Sequence, residues 1–305
     1  YMTENLAFKD GKWTEKWFDQ NIEAWTEAID GYKKYEGDIK SVLEIGCFEG
    51  RATVWLCNTV PTIEKYTVTP ELIERVRTGK WDVDGNEYID FVNSLAAVTL
   101  GYCDADVDKV VQEQMKNGVT FSLPHTLELE VAEKLIEIIP CAEKVRFAKN
   151  GTDATSAAVR IARAYTGKEH VAVCGYHGWQ DWYIGSTTRD LGVPQSVKEL
   201  THKFEYNNIK SLEKIFQEQK LACVIMEPMN IEYPKDGFLK GVKELAHKNN
   251  ALFILDETIT GFRYSLGGAQ ELFGVTPDLA TFGKGMANGY PLSAVVGSNE
   301  VMQKV

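Results

Sequence analysis

Lys284 stands between Gly283 and Gly285 at the end of the apolar run DLATFG, and Asp256 closes a second such run, LFILD. Three further apolar runs end in residues able to do chemistry. KVRFA is followed by Lys149-Asn150-Gly151-Thr152-Asp153, HVAVC by Gly175-Tyr176-His177-Gly178, and CVIM by Glu227-Pro228. In open α/β sheets ligands bind beyond the carboxyl ends of the strands, so these positions are where a site is expected. A lysine amine can condense with an aldehyde. A buried carboxylate can hold a heteroaromatic nitrogen protonated, an aromatic ring can stack on a flat ligand, and the free N–H groups of a helix N-terminus can bind a phosphate. These are the parts needed to hold pyridoxal phosphate and use it.

Each group also has a plain structural reading. Asp256 can cap a turn, Gly151-Thr152 can open a helix with no ligand, Tyr176 and His177 can be core residues, and a lone lysine is usually a solvated charge. It is their joint occurrence at successive strand ends that favours a cofactor site.

The elements that must position these groups alternate along the chain. DVDKVVQEQMKN, TLELEVAEKLIEII, TDATSAAVRIARAY, IKSLEKIFQEQK and FLKGVKELAHKNN have helical periodicity. KVRFA, HVAVCGY, ACVIME, ALFILDE, DLATFG and LSAVVG are short and almost wholly apolar, as strands covered on both faces are. The pattern predicts an α/β fold, a mostly parallel sheet with helices on both faces. Upstream, Asp84-Gly85 in KWDVDGNEYIDFV is expected to turn one short strand back on another.

Composition narrows the function classes. The 305 residues are 44% hydrophobic and 25% charged, which suits a globular core and excludes disorder or a collagen-like repeat. The net charge of −11 would repel a nucleic-acid backbone or an anionic membrane surface, so neither is an expected partner. No run approaches the roughly 20 apolar residues of a membrane span, and the start lacks the order of a signal peptide. The cysteines Cys47, Cys57, Cys103, Cys141, Cys174 and Cys223 are scattered, with no C-x-x-C pair, which fits buried thiols in the cytoplasm. The histidines show no metal-binding spacing, so no metal is expected.

From about residue 69 to 305 the chain resembles a fold-type I pyridoxal phosphate enzyme of the class III aminotransferase family. The motifs that carry the resemblance, in order, are WDVDGNEYIDF, NGTDAT, YHG, the Glu-Pro of IMEPM, ILDETITGFR and FGKG. KNGTDATSAAVRIARAYTG is similar to the glutamate-1-semialdehyde aminomutase branch. The resemblance implies that Lys284 carries the cofactor as an aldimine and that Asp256 faces the pyridine nitrogen. It further implies that Tyr176 stacks on the ring, that Gly151 and Thr152 cradle the phosphate, and that Glu227 and His177 line the site. It implies amino-group transfer between a small amino donor and an oxo acceptor, or 2,1-aminomutase chemistry, in a homodimer. The family's small C-terminal domain and the threonine-bearing loop that precedes it are not found in this sequence. A scaffold with the fold but no turnover is therefore a third expectation.

Residues 1–66 form a separate piece in this reading, and 67–305 the large, truncated aminotransferase-like domain. VLEIGCFEG resembles the first motif of a class I S-adenosylmethionine-dependent methyltransferase, with Glu44, Gly46 and Gly50 in place. The second strand of that family, with its ribose-binding acid, is missing. The expectation is a strand-turn-helix segment that does not transfer methyl groups.

Overall fold

Parallel strands buried on both faces need side chains that are apolar on both, and the central strands meet this requirement at nearly every position. The computed structural model describes residues 92–229 and 232–304. Apart from the first four of these, they belong to one compact unit, Ala96–Val305. The 1–66 segment, the Asp84-Gly85 hairpin, Cys47 and Cys57 lie outside the described residues.

Seven strands form one sheet: β1 (Lys144–Ala148), β2 (His170–Cys174), β3 (Thr201–Lys203), β4 (Leu221–Met226), β5 (Leu252–Asp256), β6 (Leu279–Phe282) and β7 (Ser293–Gly297). Their order is β1-β7-β6-β5-β4-β2-β3. β3, β2, β4, β5 and β6 pair in parallel, while β7 is antiparallel to both β6 and β1. All strands but β7 thus point the same way, and the loaded ends of β1, β2, β4, β5 and β6 emerge along one edge of the sheet.

Alternate residues of the central strands β4 and β5 enter different cores although all are buried. Cys223, Ile225 and Ile254 pack with Ala158, Ile161 and Ala162 of α3 (Gly151–Thr166). Val224, Met226, Phe253 and Leu255 face the other way, against Leu212 of α6 (Ile209–Glu218) and Phe238, Leu239, Val242 and Ala246 of α7 (Phe238–Lys248). A third cluster joins Leu135 of α2 (Thr126–Ile138) to Phe282, Ala294 and Val296. The helix α1 (Ala105–Met115), capped by Asp104 accepting from the Val107 N–H, precedes α2.

The strands and long helices expected within the described residues are all present, and the sheet is mostly parallel as predicted. The short helices α4 (Asp181–Ile184), α5 (Gln195–Lys198), α8 (Ala269–Phe273) and α9 (Asn299–Met302) were not foreseen, nor was β3. β3 reads THK and pairs on one side only, so the apolar pattern of a doubly covered strand is absent. Among the described cysteines, Cys141, Cys174 and Cys223 are buried free thiols, and burial pushes each up to about 12. Cys103 departs from the expectation and is exposed. No described helix is long and apolar enough to cross a membrane.

Phe253 is fully buried in the centre of the sheet. Phe253→Ala is expected to destabilise the fold by about 3–5 kcal/mol, through lost burial and the cavity left behind. Equilibrium urea unfolding, followed by circular dichroism, measures this directly.

Candidate active site

The carboxylate of Asp256 is the centre of the site. It is 3% exposed, at the end of the middle strand β5, and donors reach it from three segments. His177 Nδ1 lies 2.8 Å from Oδ2, Thr281 Oγ1 donates to Oδ1 at 2.9 Å, and the Thr258 N–H donates to Oδ1 at 3.1 Å. Burial alone would raise the Asp256 carboxyl. The hydrogen bond and electrostatic attraction of His177, with the bond from the Thr258 amide, outweigh it and hold the group below its ordinary value. His177 is itself fixed: its carbonyl accepts from Thr155 Oγ1 at 2.8 Å, and its ring stands against those of Trp182 and Tyr183.

Close packing of backbone around this carboxylate depends on glycine. The loop after β2 folds over Glu227, whose Oε2 accepts from the Tyr176 N–H at 2.9 Å. Gly175 has φ +109°, and a Cβ there would meet Glu227 Oε2 at 2.5 Å. Gly178 has φ +103°, and its Cβ would lie 2.2 Å from Thr152 Oγ1. The same loop is tied down by Tyr183, whose hydroxyl donates to the Gly175 carbonyl at 2.8 Å. Tyr176 is 43% exposed, and its ring meets that of Tyr183 at 5.7 Å in a T-shaped contact.

The first turn of α3 completes the edge. Asn150 caps it, its side chain accepting from the Asp153 N–H at 3.0 Å, while Ser293 Oγ of β7 donates to the Asn150 carbonyl at 2.7 Å. Gly151 and Thr152 are the first helical residues, whose N–H groups have no carbonyl four residues back to meet. Thr258 packs beneath: a Cβ on Gly151 would meet its Cγ2 at 2.9 Å, and its Oγ1 is buried without a hydrogen-bond partner. His177 Nε2 is likewise buried and unpartnered among the described residues.

Lys284 opens a 3-10 turn, Lys284–Ala287, directly after β6 and adopts φ +48°. Burial lowers its pKa, and Arg263 acts in the same direction. The charges of Asp256 and Glu227 oppose the shift without cancelling it. More of the free amine is therefore present near neutral pH than for a solvated lysine.

The residues singled out for the cofactor site, Gly151, Thr152, Tyr176, His177, Glu227, Asp256 and Lys284, fall on this one edge of the sheet, whereas Glu44, Gly46 and Gly50 lie outside the described residues. Sequence reasoning gave no role to Thr281, Thr258, Tyr183, Trp182 or Ser293. Thr281 had a signal, a hydroxyl inside an otherwise apolar strand; the others depend on how distant segments meet, which no periodicity encodes. Among the described residues no group of histidines, cysteines and acids could hold a metal.

Residues 68–305 match the family Aminotransferase class-III, and the chain belongs to it. It is 46% identical over 231 residues to the 3-aminobutyryl-CoA aminotransferase of Cloacimonas acidaminovorans, covering 73% of this chain and 55% of that protein. It is 41% identical over 243 residues to the glutamate-1-semialdehyde 2,1-aminomutase of Francisella tularensis subsp. holarctica, covering 74% and 56% respectively. The fold is similar to the crystal structure of an omega-transaminase from Sphaerobacter thermophilus, with a TM-score of 0.67 and 34% identity over 72% of this chain and 56% of that one. The chain spans just over half the length of the curated relatives it matches.

The glycine cradle gives a sharp test. Gly178→Ala combines left-handed backbone with a collision against Thr152 and is expected to cost roughly 1–3 kcal/mol or more. Gly192→Ala, at φ +84° with no atom within 4 Å, carries the backbone strain alone and should cost about 1 kcal/mol. Denaturant midpoints of the two variants measure the difference.

Proposed function

We propose that residues 67–305 bind pyridoxal phosphate and use it for amino-group transfer between a small amino donor and an oxo acceptor. The observation that carries the reading is the convergence of a half-buried lysine and a deeply buried, ionised aspartate on the ends of adjacent strands β5 and β6, beside an open helix N-terminus. The residues fit the cofactor. Gly151 and Thr152 offer unpaired amides to its phosphate, and Thr258 offers a buried hydroxyl still lacking a partner. Asp256 offers an ionised carboxylate to its ring nitrogen, and Tyr176 a partly exposed aromatic ring. When bound, the cofactor supplies an electron sink for the carbon that bears the substrate amine.

The chain's own part follows from the geometry. Lys284 Nζ, kept more often uncharged by burial, would hold the cofactor through its aldehyde carbon. Once freed by a substrate amine, it would act as the base that takes a proton from the amine-bearing carbon and as the acid that delivers it to the cofactor's side of the system. Asp256 stays ionised because three donors hold it so. Glu227 clamps the loop that carries Tyr176 and His177 through the Tyr176 amide.

The 2,1-aminomutase reading is the second one, supported by the 41% identity to the Francisella protein. Both reactions use the same lysine and aspartate and differ in whether the amino group leaves with the first product. Free thiols at Cys141, Cys174 and Cys223 support a cytoplasmic setting. A homodimer is supported by the exposed apolar side chains Leu123, Leu127 and Leu129 before and along α2, and Leu266 beyond the site.

Incubation with pyridoxal phosphate, borohydride reduction and peptide mass mapping is expected to place the pyridoxyl group on the Lys284 peptide. Label on another lysine, with Lys284 unmodified, would overturn the assignment. Light scattering of the purified protein is expected to give twice the chain mass, and Leu129→Glu to reduce it to a single chain.

A further inference from the structure

Thr281 is fully buried in β6 and directly opposite Asp256 in the parallel pairing of β5 with β6. The backbone holds that alignment, with the Glu257 N–H donating to the Thr281 carbonyl at 2.8 Å. Successive side chains of a strand alternate in direction, so a parallel neighbour at this position presents its side chain to the same face as Asp256. The Thr281 hydroxyl uses this placement to donate to Asp256 Oδ1 at 2.9 Å. A β-branched side chain in a strand has few rotamers, and the hydroxyl is held in one direction. Its neighbours Ala280 and Phe282 face apolar side chains in the third core cluster. A hydroxyl at 281 is therefore not a requirement of core packing, since valine has nearly the same shape.

We infer that Thr281 is a positioning residue for the site, whose hydroxyl fixes the direction of the Asp256 carboxylate. The inference rests on the pyridoxal phosphate reading for its catalytic meaning, while the contact itself exists in the cofactor-free chain. Of the three donors to the carboxylate, the Thr258 amide is fixed by the local turn, whereas His177 arrives on the loop after β2 and Thr281 from the neighbouring strand. His177 and Thr281 hold different oxygens and so set the plane of the carboxylate between them. The titratable groups facing Asp256 are His177 after β2, Tyr183 in α4 and Lys284 after β6, with Glu227 and Arg263 acting on Lys284.

The test has a cofactor-free arm and a cofactor-bound arm. A bond to an ionised carboxylate contributes stability above the carboxyl's unfolded pKa and loses it as pH falls through the lower folded value. Thr281→Val is therefore expected to lower the stability of the cofactor-free chain more at pH 7 than near pH 3. In an Asp256→Asn background that pH dependence should vanish, and Thr281→Ser should restore most of the loss. With pyridoxal phosphate present, Thr281→Val is expected to weaken cofactor binding by about tenfold, the worth of one hydrogen bond to a charged group. It should also shift the pH at which the absorbance of the bound cofactor changes.

An effect of Thr281→Val on stability that is the same at both pH values and in both backgrounds would overturn the inference. So would an unchanged absorbance titration in a variant that binds cofactor. Failure of the unsubstituted chain to take label at Lys284 would instead overturn the cofactor reading, and the pH-dependent stability cycle would still decide whether Thr281 governs the carboxylate.

Discussion

An ionised carboxylate taken out of water is tolerated only where hydrogen-bond donors replace its hydration. At Asp256 the replacements come from β6, from the turn after β5 and from the loop after β2, three segments distant in sequence. Each donor has to be held in place in turn. The Thr155 hydroxyl holds the His177 backbone, Tyr183 holds the Gly175 carbonyl, and the sheet pairing holds Thr281. The rigidity of this edge of the sheet thus originates in satisfying one buried charge, and the same bonds that satisfy it leave a fixed anionic point beside Lys284.

The approach of backbone to backbone around that point sets a second condition. Gly175 and Gly178 let the loop after β2 close over Glu227 and Thr152, where any side chain would collide. Gly151 leaves room for Thr258 beneath the first turn of α3. What results is a narrow strip along which an open pair of helix amides, an aromatic face, a carboxylate and a desolvated amine follow one another. Glu257, next to Asp256, shows the opposite use of a buried acid. Burial raises its pKa, but Thr260, Ala269 and Gln270 all donate to it, and it braces the segment at the start of α8.

Much of this was legible in the sequence because the central strands are so uniformly apolar. HVAVC, LACVIM, LFILD and LATF cannot be solvated on either face, and the polar residue that ends each run marks the edge of the sheet. β3 escaped because THK has neither length nor apolar pattern and is defined only by its pairing with β2. The reversal of β7 escaped too: SAVVG reads like its neighbours, and nothing in its composition says that it runs antiparallel to them.

By itself the sequence determined which strand residues of the sheet's centre are buried, where each run ends, and that a lysine, an aspartate, a glutamate, a tyrosine and a glycine-opened helix stand at those ends. These follow from local periodicity and from glycine's backbone freedom, which neighbouring residues suffice to reveal. Tertiary structure alone decided that β5 and β6 are adjacent in parallel, with Asp256 facing Thr281, and that the loop after β2 delivers His177 to the same carboxylate. Strand order and alignment are settled by which faces of distant segments can be covered at once, and no single stretch of chain contains that information.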